Sequence, residues 1–429
     1  MSNNAPLLID VSRLIWRRWE NRRPTGIDRV CLAYVEHYRP QAQAVIQVPG
    51  FRRILDEKNS DLLFSLLVEE QTNFQNRLII QGIQRTFSIF PPLGGKQRPY
   101  LNVGHTGLDK PQLRHWTTRT GVRPVFFIHD LIPITHPEHC REGEEEKHRQ
   151  RMRTALETGT GIIGNSRATL DELNEFAARE DLAKLPQISS WLGGANLKPT
   201  VQSLPSHRPY FVTLGTIEGR KNHLLLLNIW RQLVAEQGAE APQLRIIGQR
   251  GWEAKQVFAM LDRNRSLQDY VIEINDCSDD ALADHLAHTR ALLFPSVAEG
   301  YGLPLIEALA QAIPVIASNI PIFREIAGDI PDYLDPHDGP GWKHLISDFC
   351  RHDSSRRRSQ LQRMGGYAVP DWQAHFDVVD RWLEELYGVS LRLSQNPAPA
   401  PVPDLPKTSS HSTSERPGSP QGSTTRSSY

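Results

Sequence analysis

Short aliphatic or β-branched runs recur along the chain, and between them the apolar positions fall at helical spacing. The runs are Leu7 to Val11, Val45 to Val48, Val125 to Ile128 and Ile162 to Ile163, then Tyr210 to Leu214, Leu244 to Ile247, Tyr270 to Ile274, Ala291 to Phe294 and Val315 to Ala317. Continuously apolar strands that alternate with helices predict parallel sheets covered on both faces. Between the two groups of strands, Gly193-Gly194 and the Gly/Pro/Ser-rich stretch Pro199 to Pro209 suit a hinge. The expected architecture is α/β, with two doubly wound, Rossmann-like parallel-sheet domains facing a cleft. Residues 1–190 form the first domain and 191–370 the second. Asp371 to Gly388 carries Trp, Phe and Leu at helical spacing and predicts one more helix. From 391 to 429, nine Ser and seven Pro leave too little apolar surface to offset the entropy of ordering, which predicts a disordered tail.

Composition narrows the classes. A chain of 429 residues with 39% hydrophobic content can bury two cores. Its 49 basic residues balance 49 acidic ones, so no overall field draws it to nucleic acid, and no nucleic-acid partner is expected. Cys31, Cys140, Cys277 and Cys350 stand singly, without the spacing of a zinc site or a disulfide framework, and fit a reducing cytosol. The N-terminus shows no basic-then-apolar leader. The longest aliphatic run, Leu224 to Leu227, is far short of the ~20 residues of a membrane helix.

The most informative segment is Glu299 to Glu307, reading EGYGLPLIE directly after the apolar run Ala291 to Phe294. A strand, a Gly-x-Gly turn and a helix leave backbone amides free to hold a phosphate at the helix N-terminus. The two carboxylates repel phosphate but accept from hydroxyls, so the fitting ligand carries phosphates flanked by sugars, as a nucleotide-sugar does. A dinucleotide fingerprint is the nearest competitor, with Glu325 as its ribose acid. Its third glycine is missing, because position 305 is Leu and Pro304 precedes it. The acidic run Asp276 to Asp280 resembles a metal triplet, but it precedes the helical segment Ala281 to His288, where capping explains it.

This segment resembles glycosyltransferase family 4, whose members have the GT-B fold and a signature of Glu, seven residues, Glu. The resemblance runs on from Ala291 to Asp329. It also includes Thr213 to Asn222 (TLGTIEGRKN), similar to the first loop of the family's donor domain, and Phe126 to Ile134 (FFIHDLIPI), similar to bacterial mannosyltransferase-like members. It implies that 191–370 binds the donor, that 1–190 faces the acceptor, and that the helix over 371–389 crosses back to the first domain. It implies a retaining, metal-independent transfer of a hexose, with GDP-mannose as co-substrate, another nucleotide-hexose left open, and no cofactor.

The resemblance also implies roles for site residues, position by position. Arg220 and Lys221, after the strand Tyr210 to Leu214 and the Gly215 turn, neutralise the donor diphosphate. Glu299 contacts hydroxyls of the transferred hexose near the reacting carbon, and Glu307 accepts from the ribose hydroxyls. Gly300 and Gly302 allow close phosphate approach, with Tyr301 and Leu303 in the same loop. His129 and Asp130 face the donor across the cleft, His129 lining the sugar site. Gly26, Asn165 and Ser166 lie at strand-to-loop exits as candidates for acceptor or diphosphate contact. His136, His139 and His148 lack metal spacing and read as surface residues. The chain departs from the family at Thr216, where many members carry a further arginine, and at Ala312, where glycine is usual.

The acceptor is expected to be a glycan or lipid-linked chain in bacterial polysaccharide synthesis, at the cytoplasmic face of the membrane. Trp16 to Trp19, with Arg13, Arg22 and Arg23, mixes aromatics and cations as a peripheral membrane segment does, and equally as an exposed face of the first domain does; Asp61 to Glu70 could join such a surface. A non-catalytic subunit that binds nucleotide-sugar or glycan is the alternative from another class.

Overall fold

The computed structural model describes residues 6–20, 24–48, 51–69, 75, 78, 95–194 and 208–388. Most of the expected hinge stretch, Arg22 and Arg23, and the tail from 391 lie outside the described residues. The first sheet has seven strands: β1 (Leu7–Asp10), β2 (Ala42–Val48), β3 (Phe51–Ile54), β4 (Pro99–Asn102), β5 (Arg123–Ile128), β6 (Gly161–Gly164) and β7 (Gln187–Ser189), in the order β3-β2-β1-β4-β5-β6-β7. The second has six: β8 (Tyr210–Leu214), β9 (Gln243–Ile247), β10 (Val271–Ile274), β11 (Leu292–Phe294), β12 (Val315–Ser318) and β13 (Asp332–Leu334), in the order β10-β9-β8-β11-β12-β13. All pairs are parallel except β2 with β3, an antiparallel edge. The chain is α/β with two parallel-sheet lobes. Each of the nine apolar runs lies in or overlaps a strand. Runs of this kind do not mark β3, β4, β7 and β13, whose side chains include Arg, Pro, Gln and Asp.

Both sheets reverse direction of growth at one place, between β1 and β4 and between β8 and β11. Loops leaving such neighbours diverge, and ligands bind in the crevice between them.

One apolar cluster runs from Leu7, Ile9 and Tyr34 of the first lobe through Leu192 and Tyr301 to Phe294 and Ile322 of the second. The helix Trp372–Tyr387 starts at Asp371, whose carboxylate accepts from the Ala374 amide at 2.7 Å, and ends at Gly388 in the left-handed region. It docks on the first lobe. Tyr34 donates its hydroxyl proton to His375 Nε2 (2.9 Å), and the Tyr38 hydroxyl donates to Asp380 (2.5 Å). A Cβ on Gly161 of β6 would lie 2.6 Å from the Trp382 ring, so only glycine permits this contact.

The basic aromatic segment is engaged internally. Arg13 and Arg17 both pair with the buried Asp28, at 2.7 and 3.0 Å, and Arg18 donates to the Leu67 carbonyl at 2.8 Å. Trp16 is exposed, whereas Trp19 packs on the core. The helix Glu57–Val68 buries Leu63, Phe64, Leu66 and Leu67, so those apolar side chains are core and not an outer surface. Among the described residues no helix is long and apolar enough to cross a membrane.

Candidate active site

The exits of β8 and β11 build a four-charge cluster. After β8 the chain turns at Gly215 (φ +131°), where an added Cβ would sit 3.4 Å from Lys221 Cε and Nζ. A short 3-10 turn, Gly219–Lys221, then presents Arg220 and Lys221. After β11, the Val297 amide donates to the Arg220 carbonyl at 2.8 Å and ties the two loops together. Glu299 is thereby held between both cations: Oε2 lies 2.7 Å from Arg220 Nη1 and Oε1 lies 2.5 Å from Lys221 Nζ. Ser296 Oγ donates to the same Oε1 at 2.7 Å, and Glu218 completes the cluster at 2.7 Å from Arg220 Nη2.

The electrostatics follow from burial against pairing. Burial opposes the charge of Glu299, but Arg220 and Lys221 overcome it and hold the carboxyl down at about 2. Burial also opposes the charge of Arg220, yet Glu299 and Glu218 raise its pKa. For Lys221 burial prevails, and the pKa is lowered against the pull of Glu299. Burial raises Glu218 against the neighbouring Arg220 and Lys221. Two cations thus face two acids. Glu299 pairs with both cations that the sequence assigns to the donor diphosphate.

The two lobes meet at the next residue. A Cβ on Gly300 would lie 2.5 Å from the His129 carbonyl oxygen and 3.0 Å from Asp130 Cβ, so the glycine serves a backbone approach between lobes. The Asn165 amide donates to the same His129 carbonyl at 2.8 Å. His129 is buried and its Nε2 donates to the Val103 carbonyl at 2.7 Å, which leaves Nδ1 as the acceptor nitrogen; burial lowers its pKa to about 4. Asp130 accepts from the Ile132 amide at 3.1 Å. Gly302 has φ +116° and opens the helix Leu303–Ala310, with Pro304 in its first turn.

The remaining candidates form a second group. Glu307 is 2% exposed, yet its Oε1 meets Arg29 of the first lobe at 3.2 Å. An added Cβ on Gly26, which starts the helix Gly26–Tyr38, would be 3.6 Å from Leu303. Tyr301 is buried with its hydroxyl on the Leu192 carbonyl at 3.0 Å. Ser166 caps the helix Arg167–Arg179 by accepting from the Thr169 amide at 3.0 Å.

Several partners left no signal in the sequence. They include Glu218, Ser296 and Arg29. Glu325, noted in the sequence only as a candidate ribose acid, reaches across to the first lobe. Its two oxygens accept from the Arg167 and Ala168 amides at 2.8 and 2.9 Å and from Trp191 Nε1 at 3.0 Å. His148 is 4% exposed and donates from Nε2 to the Asp130 carbonyl at 3.0 Å, which corrects its reading as a surface histidine. In the acidic run Asp276 to Asp280, Ser278 caps the helix Asp279–Ala287. Among the described residues no three His, Cys, Asp or Glu side chains converge as metal ligands.

Residues 197–331, which carry β8 to β12 and the Glu299 cluster, match the family model of glycosyl transferases group 1. Over this segment the chain is similar to the group 1 glycosyltransferases, and its fold is GT-B. The serotype-specific mannosyltransferase WbdA of Escherichia coli is 30% identical over 345 residues, which are 75% of this chain and 38% of that protein. The chain therefore spans well under half of that relative. The O-antigen chain mannosyltransferase B of Escherichia coli is 28% identical over 258 residues, 58% of this chain and 67% of that one. The crystal structure of Alr3699/HepE from Anabaena in complex with UDP-glucose superposes with a TM-score of 0.60 at 14% identity, covering 89% of this chain and 99% of that one. Sucrose-phosphate synthase from Thermosynechococcus elongatus superposes with a TM-score of 0.56 at 15% identity, again over 89% and 99%. These two likenesses show the GT-B fold.

Proposed function

We propose that this glycosyltransferase is a retaining, metal-independent hexosyltransferase. It moves mannose from GDP-mannose to a glycan or lipid-linked acceptor in polysaccharide synthesis, on the cytoplasmic side of the membrane. The observation that carries the reading is Glu299 clamped between Arg220 and Lys221 at the switch point of the second sheet, one residue from the contact with His129. Similarity to two O-antigen-type mannosyltransferases supports mannose, and the FFIHDLIPI segment supports the GDP donor.

In the proposed step the diphosphate departs with increasing negative charge, which makes Arg220 and Lys221 worth more in the transition state than in the ground state. The bond between the anomeric carbon and the phosphate oxygen breaks. The acceptor oxygen bonds to that carbon on the same face, and its proton passes to the departing phosphate. Glu299, ion-paired on both oxygens with a pKa of about 2, is a poor base and a poor nucleophile at neutral pH. That favours front-face transfer over a covalent glycosyl-enzyme of the glycosidase kind.

The test is incubation of the full chain with GDP-mannose, a mannose-terminated oligosaccharide and EDTA, with the product read by NMR. An α-linked product with EDTA present supports the donor, retention and metal independence. A β-linked product overturns retention, abolition by EDTA overturns metal independence, and transfer from another nucleotide-sugar alone overturns the donor.

A further inference from the structure

Glu307 is buried, and a carboxylate at that depth needs a partner held in place. The partner comes from the other lobe: Arg29 Nη1 lies 3.2 Å from Glu307 Oε1, across 278 residues of sequence. Nη2 of the same guanidinium lies 3.5 Å from Asp279 Oδ1, at the start of the helix that follows β10. One side chain of the first lobe thus spans the segments that leave β10 and β11. The two contacts are unequal. Asp279 is 69% exposed, so solvent screens that pair and it counts for little, whereas the contact with the buried Glu307 is screened far less.

The backbone under Arg29 is anchored. Arg29 lies in the first turn of the helix Gly26–Tyr38, which opens on a capping box: the Thr25 amide donates to Asp28 Oδ2 at 2.7 Å, and Arg13 and Arg17 hold Asp28 in turn. The Arg29 amide donates to the Thr25 carbonyl at 3.0 Å. Gly26 sets this turn against the donor-domain helix, since its added Cβ would lie 3.6 Å from Leu303 Cδ1. The side chain itself is 39% exposed and can yield to a ligand. A carboxylate that reads the paired hydroxyls of a ribose must present its oxygens in a fixed plane, and a charged donor on Oε1 sets that plane.

We infer that Arg29 is a positioning residue of the donor site, supplied by the first lobe: it orients the Glu307 carboxylate that accepts from the ribose hydroxyls, so that ribose recognition depends on the lobes being together. The inference rests on the ribose role that the resemblance gives Glu307.

The test is titration of the full chain with GDP and UDP, each beside its 2′,3′-dideoxy counterpart, for wild type, Glu307→Gln, Arg29→Ala and Arg29→Lys. The readout is the ratio of affinities with and without the hydroxyls. Wild type should prefer the hydroxylated nucleotide by at least about tenfold, for whichever base binds. Arg29→Ala should bring the ratio to within about threefold of unity while the dideoxy nucleotide binds as it does to wild type. Arg29→Lys should restore part of the ratio, because an ammonium keeps the charge without the planar fork. A ratio that collapses in Glu307→Gln and stays unchanged in Arg29→Ala overturns the inference and leaves the ribose role standing. A ratio unchanged in Glu307→Gln, or near unity in wild type, overturns the ribose role and the inference with it. Loss of both nucleotides alike in Arg29→Ala, with the wild-type ratio intact in Arg29→Lys, assigns the pair to lobe packing and also overturns the inference. No binding of either nucleotide by wild type overturns the donor reading and the inference together.

Discussion

Lys221 Nζ lies 2.5 Å from Glu299 Oε1 across 78 residues of sequence, and the carboxylate's other oxygen is held by Arg220 at 2.7 Å. Removing one member of a buried pair strands its partner, at a cost of about 3–5 kcal/mol in fully buried cases. Glu299→Gln leaves two adjacent cations facing Glu218 alone, so it should destabilise the chain by about 3 kcal/mol in a denaturant titration. Lys221→Ala should cost less stability, because Arg220 remains beside Glu299, yet lower the transfer rate by about 10²–10³-fold, the usual effect of removing one charge-stabilising donor.

Gly300→Ala should lower stability and activity together. The added methyl meets the His129 carbonyl at 2.5 Å, a backbone atom of the other lobe that no rotamer change can move. The lobes must shift apart. A displacement near 1 Å at reacting groups costs roughly a hundredfold in rate, and the overpacking should destabilise by about 1–3 kcal/mol. Steady-state transfer kinetics beside a thermal melt would show both, and a variant with unchanged rate would contradict the lobe contact.

Ala312 sits at φ +56°, just past the helix Leu303–Ala310, with the Ile313 amide bonded to the Ala308 carbonyl at 2.9 Å. A left-handed residue at this place is usually glycine, because a Cβ there costs about 1–2 kcal/mol. Ala312→Gly should therefore raise stability by up to about 1 kcal/mol, part of the relief being offset by the greater freedom of the unfolded chain. Chemical denaturation of the two proteins at one pH checks this.

Stability should fall with acid in two stages. Burial holds His375 near 4, below the ordinary imidazole value of 6.5, as it does His129. The unfolded chain takes up these protons first, so their contribution is complete above pH 6.5 and is lost as pH falls from 6.5 towards 4, on the order of 1 to 3 kcal/mol per histidine. Glu299, lowered from 4.5 to about 2, contributes above pH 4.5 and loses that contribution as pH falls towards 2. Denaturant midpoints from pH 8 to 3 should show both slopes. His375→Gln should flatten the first and Glu299→Gln the second.

Much of the fold was legible because buried parallel strands write themselves as apolar runs, as Tyr210 to Leu214 and Val315 to Ala317 do. The edges were not. The strands Phe51–Ile54 and Gln187–Ser189 are short and carry polar side chains, so no run marks them. The turn at Gly215 and the glycines after β11 marked the two loops that carry the charge cluster. They could not show which side chains meet. That Glu299 occupies Arg220 and Lys221, that Glu307 meets Arg29, and that Glu325 caps a helix of the other lobe are contacts across more than seventy residues. Long-range pairing of this kind leaves no period or spacing in a single sequence. The cluster of His105, His129 and His148 was hidden for the same reason, since three different strand exits or helices supply it.

The central claim is that a nucleotide-sugar binds at the Arg220–Lys221–Glu299 cluster, and equilibrium thermal shift tests it most directly. The measurement uses wild type and Lys221→Ala with GDP-mannose, UDP-glucose and UDP-N-acetylglucosamine. A donor present at a hundred times its Kd stabilises by about 2.7 kcal/mol, a shift of some degrees in a chain of this size. The account predicts such a shift for the wild type with GDP-mannose and its loss in Lys221→Ala. Equal shifts in both proteins, or none with any of the three donors, would contradict it.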